Sequence, residues 1–368
     1  MGKITGNKGE WSELYVLLHL LATGKLYAAD KDLNKLENVF FPILKILRHD
    51  SPNKNVVYEL PTQYATNTNI LKQPEILVYV NDQFICNIKQ TELDEEQRRL
   101  YQSIVNGPGR SFNIDSAEQF MGKIYCDKLK AGASDKTDIT MVIHDINTGY
   151  NPVCGFSIKS DLGNAPTLLN ASEATNFVYK ITGLTISQAE EINAINTKAK
   201  ILDRITTIYS KGATLEFVGL KNQTFNDNLI MIDSMMPDML SHIILYSYKT
   251  GKINCADIIK QIDKDNPMSY PRPGLYSYKF KKFLCAVALG LMPSKMWNGY
   301  DEANGGYIIV KNNGDVVAYH IYNRNSFEDY LLNNTKFERG STSRHKFATI
   351  YEHDGELYIN LNLQIRFI

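Results

Sequence analysis

Apolar positions recur at helical spacing near the start of the chain and alternate in several stretches further on. From about Gly9 to Thr23, GEWSELYVLLHLLAT carries Leu14, Leu17, Leu18 and Leu21 on one stripe, and Gly24 follows, which predicts an amphipathic helix and its stop. PEILVYVNDQFICNIKQ alternates on both sides of Asn81-Asp82 and predicts a hairpin. DEEQRRLYQSIV, at about 95–105, and Asp115 to Leu129 predict two helices. In the middle, TDITMVIHDINTGYNPVCGFSIKS predicts a strand at about 138–145, a polar turn through Asn147-Thr148-Gly149 and a strand at about 153–159. A helix is expected from Asn170 to about Ile181 and another at about 186–208, followed by a strand at 214–220.

The last third changes character. PRPG at 271–274 reads as a loop and YSYKFKKFLCAVALGL as a helix. Two hairpins follow, GYIIVKNNGDVVAYHIY turning at Asn313-Gly314 and ATIYEHDGELYINLNLQIRF turning at Asp354-Gly355. Between them SFEDYLL starts a short helix with Ser326 and Asp329 in a capping-box-like arrangement. The mixture of hairpins and helices predicts an α+β (mixed) fold, with a soft boundary near 230–270 that divides the chain into 1–240 and 241–368.

Composition narrows the classes. The 368 residues carry 40 Lys+Arg against 40 Asp+Glu, with 43% hydrophobic residues, which excludes a disordered chain and a protein that coats nucleic acid by net charge alone. A local basic groove on a neutral molecule stays open. Five scattered cysteines with no CxxC speak against a zinc site and suit buried free thiols in a reducing compartment. MGKITGNKGEW has no apolar core of a secretory signal, and the longest apolar run, Phe283 to Pro293, is too short to span a bilayer, so a soluble, cytoplasmic protein without membrane partners is expected.

Chemistry concentrates at Asp138 and Lys159. Antiparallel pairing around a turn near 147–150 brings them together, with Ser157 and Lys159 on one face of their strand and Phe156 and Ile158 on the other. A carboxylate beside an ammonium at a sheet rim can hold a hard divalent cation and orient a water, as phosphodiester hydrolysis requires. The lysine can stabilise charge that develops during attack. A second acid is needed, because Ser157 stands where the usual acidic-x-lysine sequence has its acid; Glu13 on the first helix and Glu173 after Lys159 are both candidates, with Glu10 one turn before Glu13. A structural ion pair is the plainer reading of Asp138 and Lys159, and first-turn carboxylates are the plainer reading of the glutamates. Glu75 with Asn87-Ile88-Lys89 has the same outline on a shorter spacing.

Asp138 followed by SIK on the next strand resembles the PD-(D/E)xK nuclease superfamily, whose core is a mixed sheet flanked by helices. GNKGEWSELYVLL, SDKTDI…GFSIKS, TLLNASEATNF and STSRH…LYINLNLQIRF resemble, over the full length, the HpaII-type family of type II restriction endonucleases. The resemblance implies Mg²⁺-dependent cleavage of double-stranded DNA at a short specific sequence and a cognate DNA methyltransferase in the same system. It implies metal ligation by Asp138, by the Ile158 carbonyl and by Glu13 or Glu173. In some nucleases of this kind the second acid lies fourteen residues after the lysine, as Glu173 does from Lys159, but the arginines that accompany it there are absent from LLNASEATNF.

DNA contact is expected from the C-terminal region. In YINLNLQIRF, Asn360, Asn362, Gln364 and Arg366 share one face; amides pair bidentately with adenine and arginine with guanine, although a solvated strand face is the plainer reading. Arg339, Ser341, Ser343, Arg344 and His345 suit phosphate or base contacts, and Asn170 and Asn176 of the resembling stretch join them. A symmetric target implies a homodimer. Two rivals remain: a structure-specific or repair nuclease of the same fold, and a catalytically silent DNA-binding protein.

Overall fold

The computed structural model describes residues 3–61, 75–130 and 137–368, so Pro74 and the first residues of SDKTDI lie outside the described residues. The chain forms two compact units, one of residues 1–166 with 301–327 and one of residues 167–300 with 328–368. The fold is mixed α+β. The boundary expected near 240 falls inside a helix, and the chain passes between units at three places rather than one.

Unit one begins with α1 (Lys8–Thr23), opened by an Asn7/Glu10 capping box and closed by Gly24 in the left-handed conformation. β1 (Lys25–Ala29), the 17-residue β2 (Lys35–Ser51), β3 (Lys54–Glu59), β4 (Glu75–Val80) and β5 (Gln83–Lys89) follow. α2 (Gln90–Asn106), α3 (Asp115–Lys123), β6 (Ile139–Ile143) and β7 (Val153–Ser160) complete its first segment, and β11 (Gly306–Val310) and β12 (Val316–His320) return later. The Asn81-Asp82 turn joins β4 and β5 as expected, with both residues at positive φ. The nine strands run in the order β1-β12-β11-β7-β6-β2-β3-β4-β5, and β1 also pairs with the first half of β2. Six of them therefore close on themselves, leaving β3, β4 and β5 as an extension.

α1 packs against α2 and β7. Burial exceeds the expected stripe: Val16 and Leu20 are enclosed along with Leu14, Leu17, Leu18 and Leu21. They join Ile43, Ile46, Ile139, Met141, Phe156, Ile158 and Ile308 in one core. Each fully buried aliphatic chain contributes about 1.5–3 kcal/mol, which holds α1 against β7 and α2.

Unit two contains β8 (Thr167–Leu169), β9 (Asn176–Thr182), α4 (Ile186–Ala194), α5 (Lys200–Ser210), β10 (Thr214–Leu220) and α6 (Gln223–Ile232). α7 (Met236–Thr250), α8 (Cys255–Asp265) and α9 (Leu275–Leu289) follow. α10 (Arg324–Asn333) carries the chain across the last unit boundary, before β13 (Thr335–Phe337), α11 (Thr342–His345), β14 (Ile350–His353), β15 (Glu356–Asn362) and β16 (Ile365–Phe367). Its strands form a sheet β10-β9-β15-β14 and a small sheet β13-β16-β8.

Three expectations are corrected here. The helix expected over 170–181 is a single 3₁₀ turn at Glu173–Thr175 followed by β9, because Phe177, Tyr179 and Ile181 alternate into the core while Val178 and Lys180 do not. The helix expected over 186–208 breaks between α4 and α5. The single strand expected through 367 divides at Leu363-Gln364 into β15 and β16, which belong to different sheets. No single helix among the described residues is long and apolar enough to cross a membrane. Four cysteines are buried, Cys86 is half-buried, and all five are free thiols.

Candidate active site

The β6–β7 hairpin places the acid and the amine. Ile139 pairs with Phe156, so Asp138 continues the ladder one residue beyond β6 and its N–H donates to the Phe156 carbonyl at 2.9 Å. Its side chain folds over the neighbouring strand: Oδ2 accepts from the Ile158 N–H at 2.6 Å and from Ser157 Oγ at 3.1 Å. Lys159 Nζ donates to the same Ser157 Oγ at 3.2 Å and stands 5.5 Å from the centroid of the Tyr307 ring. Asp138 and Lys159 thus converge through the Ser157 hydroxyl, which is 2% exposed. The serine in the acidic slot is a bridge between carboxylate and amine.

The third group comes from α1. Ser12, buried in the helix, donates to the Lys8 carbonyl, and its Oγ lies 2.7 Å from Ser160 Oγ at the end of β7. That contact ties the first turns of α1 to the strand carrying Lys159, with Glu13 next in sequence. Glu13 Oε2 is enclosed without a hydrogen-bond partner. Burial pushes the Glu13 carboxyl up to about 9, and the neighbouring Asp138 charge adds to this, against weaker opposing effects of Lys130, Lys159 and Arg48. Enclosed Glu13 thus lies within electrostatic reach of half-buried Asp138 and Lys159. Glu10 differs: it completes the α1 capping box and pairs with Lys130 Nζ at 2.6 Å, the ordinary first-turn role.

A cavity of about 450 Å³ opens beside Asp138, lined among others by Arg48, Asp50, Thr137, Thr140 and Asn304. Its walls are braced. Arg48 pairs with Asp50 at 2.9 Å and donates to the Lys128 carbonyl at 2.7 Å, and Asp50 accepts from the Asp127 N–H at 2.5 Å. This nearly buried pair holds the chain that leads to Lys130. Gly155 is required where it stands: a Cβ there would lie 2.7 Å from Thr137 Cγ2, and its N–H donates to Asn304 Oδ1 at 2.8 Å.

Among the described residues, no three His, Cys, Asp or Glu side chains are grouped so as to hold a metal ion by themselves. Two carboxylates within electrostatic reach, one with an oxygen lacking any donor, make an all-oxygen set that suits a hard divalent cation completed by a carbonyl and waters. Glu173 is placed differently. It lies in unit two, where Lys221 at 2.7 Å and Lys346 at 2.9 Å occupy both its oxygens and hold its carboxyl at about 2.

The polar face expected to contact DNA at the C-terminus is largely enclosed in this structure. Asn362 is 2% exposed and donates to the Ser172 carbonyl at 2.7 Å and to Asn176 Oδ1 at 2.7 Å, while Asn176 donates to the His345 carbonyl at 2.8 Å. Gln364 and Arg366 both donate to Glu338 Oε2, at 2.7 and 2.8 Å. Arg339 Nη2 donates to Ser247 Oγ at 2.7 Å. Asn362 and Asn176 are buried on the paired strands β15 and β9, and Gln364 is also buried, while Arg366 and Arg339 are half-buried. Asn170, Ser341, Ser343 and Arg344 are exposed, and His345 is half-buried.

The sequence pattern did not reveal Lys130, the Arg48–Asp50 brace, Tyr307 or the Ser12–Ser160 contact. Of these only Ser12 left a trace, as a hydroxyl inside an otherwise apolar helix.

A family model described as HpaII restriction endonuclease matches residues 7–367. The chain is 44% identical over 370 residues, 99% of each chain, to the type II restriction enzyme HpaII of Haemophilus parainfluenzae. No solved structure matches.

Proposed function

Because the chain belongs to the HpaII restriction endonuclease family, we propose that Asp138, Ser157, Lys159 and Glu13 form the centre at which it cuts phosphodiester bonds. The protein is a type II restriction endonuclease, a site-specific deoxyribonuclease, and DNA is its substrate. The observation that carries the assignment is the convergence of Asp138 and Lys159 on Ser157 Oγ beside the partnerless Glu13 oxygen. The β6–β7 hairpin under α1 is then a PD-(D/E)xK core in which serine replaces the acid next to the lysine.

Type II restriction enzymes use divalent metal ions, and Mg²⁺ is the ion proposed here. Asp138 and Glu13 would hold it with the Ile158 carbonyl; in an extended strand a residue's N–H and C=O point the same way, and the Ile158 N–H points at Asp138. When bound, the ion supplies Lewis-acid stabilisation of the phosphate and lowers the pKa of a water. The chain's own residues do the rest. Ser157 and the Ile158 N–H fix the plane of the Asp138 carboxylate. Lys159, held by Ser157 and the Tyr307 ring, orients the attacking water and stabilises charge developing on phosphate oxygens. Glu13 rather than Glu173 is the second acid, since Glu173 is already neutralised by two lysines.

Unit one is the catalytic region in this reading and unit two the DNA-recognition region, with exposed Asn170, Ser341, Ser343 and Arg344 and half-buried His345 at its contact surface. Inward-facing Asn176, Asn362, Gln364 and Arg366 support that surface from behind. A symmetric target calls for a homodimer. Free thiols fit a cytoplasmic enzyme, with a cognate methyltransferase protecting host DNA. Plasmid incubated with the protein and Mg²⁺ should give discrete fragments whose sequenced ends share one motif. A smear, or fragments still produced by both Asp138→Ala and Lys159→Ala, would overturn the assignment.

A further inference from the structure

A second cavity, of about 490 Å³, lies within unit two between the chain entering α5, the end of α7 and the segment 339–343. Its charged lining is entirely cationic, Lys198, Lys200 and Arg339, and hydroxyls of Ser341, Thr342 and Ser343 accompany it. Elsewhere in the unit Lys211, Lys221, Lys279, Lys281, Lys282 and Lys346 each pair with a carboxylate. Among the described residues the three cavity cations have no such partner. Arg339 is held with its guanidinium 3.9 Å from the centroid of the Tyr248 ring and Nη2 on Ser247 Oγ, which leaves Nη1 enclosed with no acceptor. An enclosed guanidinium donor without an acceptor is costly unless a ligand supplies one.

We propose that this cavity is a phosphate site and that the phosphate belongs to the DNA backbone. Arg339 is its fixed inner donor, and Lys198 and Lys200 neutralise the ligand from the entrance. Ile201, Leu202 and Ile253 give the cavity an apolar wall, which suits the deoxyribose beside a backbone phosphate and has no role toward a free ion. The proposal deepens the reading of unit two as the recognition region and rests on it.

The test measures binding of the full-length chain to site-containing and site-free duplexes, with Ca²⁺ replacing Mg²⁺, between 50 and 200 mM salt. The K198A/K200A variant, with unchanged thermal melting as a control for folding, is expected to lower the slope of log K against log salt by about 2. Wild-type affinity then falls about tenfold more than the variant's across that range. Both duplexes should be affected equally, because a phosphate contact carries no sequence information. R339K keeps the charge and removes the fixed donor, so it should weaken binding at nearly constant slope. Unchanged slope and affinity in both variants overturn the proposal. Inorganic phosphate is the second probe: thermal stabilisation lost in K198A/K200A, with an unchanged DNA slope, identifies a free-phosphate site and overturns the DNA assignment. Failure here leaves wild-type plasmid cleavage intact, whereas failure of the nuclease reading abolishes it.

Discussion

Two hairpins of one sheet carry almost the same outline. In β6–β7, Asp138 faces Ser157-Ile158-Lys159; in β4–β5, Glu75 faces Asn87-Ile88-Lys89 and pairs with Lys89 in register. Each acid accepts a hydrogen bond from the polar residue of the opposing strand, Asp138 from Ser157 and Glu75 from Asn87 Nδ2 at 2.9 Å. The surroundings separate them. β7 lies inside the closed part of the sheet, with α1 packed on it, and receives Glu13 and the brace that holds Lys130. β5 is at the sheet's edge, and Lys89 is exposed. An acid and a lysine on adjacent strands are common; the proposed cation site at β6–β7 differs in having a second acid, the enclosed Glu13, beside them.

The sharpest way to break that comparison is to remove both pairs in turn. Asp138→Ala or Lys159→Ala should lower the cleavage rate by about 10³-fold while duplex binding persists, and Glu75→Ala or Lys89→Ala should leave both unchanged. Equal losses from the two hairpins would erase the distinction. Glu13→Gln tests what the helix adds. Cleavage should fall by about 10²-fold and the midpoint for Mg²⁺ should rise. Relief of the enclosed, partnerless carboxyl should raise the melting temperature of the metal-free protein by about 2–4 °C, or about 1 kcal/mol. Glu173→Gln should show neither effect on catalysis.

A third prediction concerns the packing beneath the site hairpin. His320, 4% exposed on β12, packs tilted against the Phe41 ring at 4.4 Å between centroids and lies near Phe156 of β7, and burial, opposed by Asp145, lowers its pKa from 6.5 to about 4. The unfolded chain takes up this proton at higher pH than the folded one, so the contribution is full above about 6.5 and is lost as pH falls through about 4. It is at most about 3 kcal/mol. Denaturant titrations at pH 7.5 and 4 should show the loss, His320→Phe should remove it, and hydrogen exchange should rise in β7 and β12 before β4 and β5. The smallest effect is expected from Ser12→Ala, which leaves Ser160 Oγ without its helix partner. Stability should fall by about 1 kcal/mol, and kcat should fall several-fold with little change in DNA affinity.

Much of unit one was legible in the chain. α1, the β4–β5 and β6–β7 hairpins and the β11–β12 hairpin follow from local periodicity and from Asn-Asp or Asn-Gly turns, which act over a few residues. In unit two the same reasoning failed at 170–181, where good helix-capping chemistry precedes a strand-forming alternation, and at 357–367, where one alternating run serves two sheets. Amides that suggest readers of bases are enclosed instead, Asn362 donating to Asn176 and Gln364 to Glu338, because strand alternation names a face without saying what covers it.

By itself the sequence determined that a carboxylate and an amine stand on paired strands after a polar turn, since register and pleat are properties of neighbouring residues. It also determined that a neutral, core-forming chain surrounds them. Only the tertiary structure separates the surroundings of the two candidate acids, because Glu13 is brought over β7 by burial of α1 and a buried serine pair, while Glu173 is neutralised by lysines 48 and 173 positions further along the chain. Long-range packing sets the solvation and the neighbours of a charge, and those settle whether an ionisable side chain is a ligand or a strut.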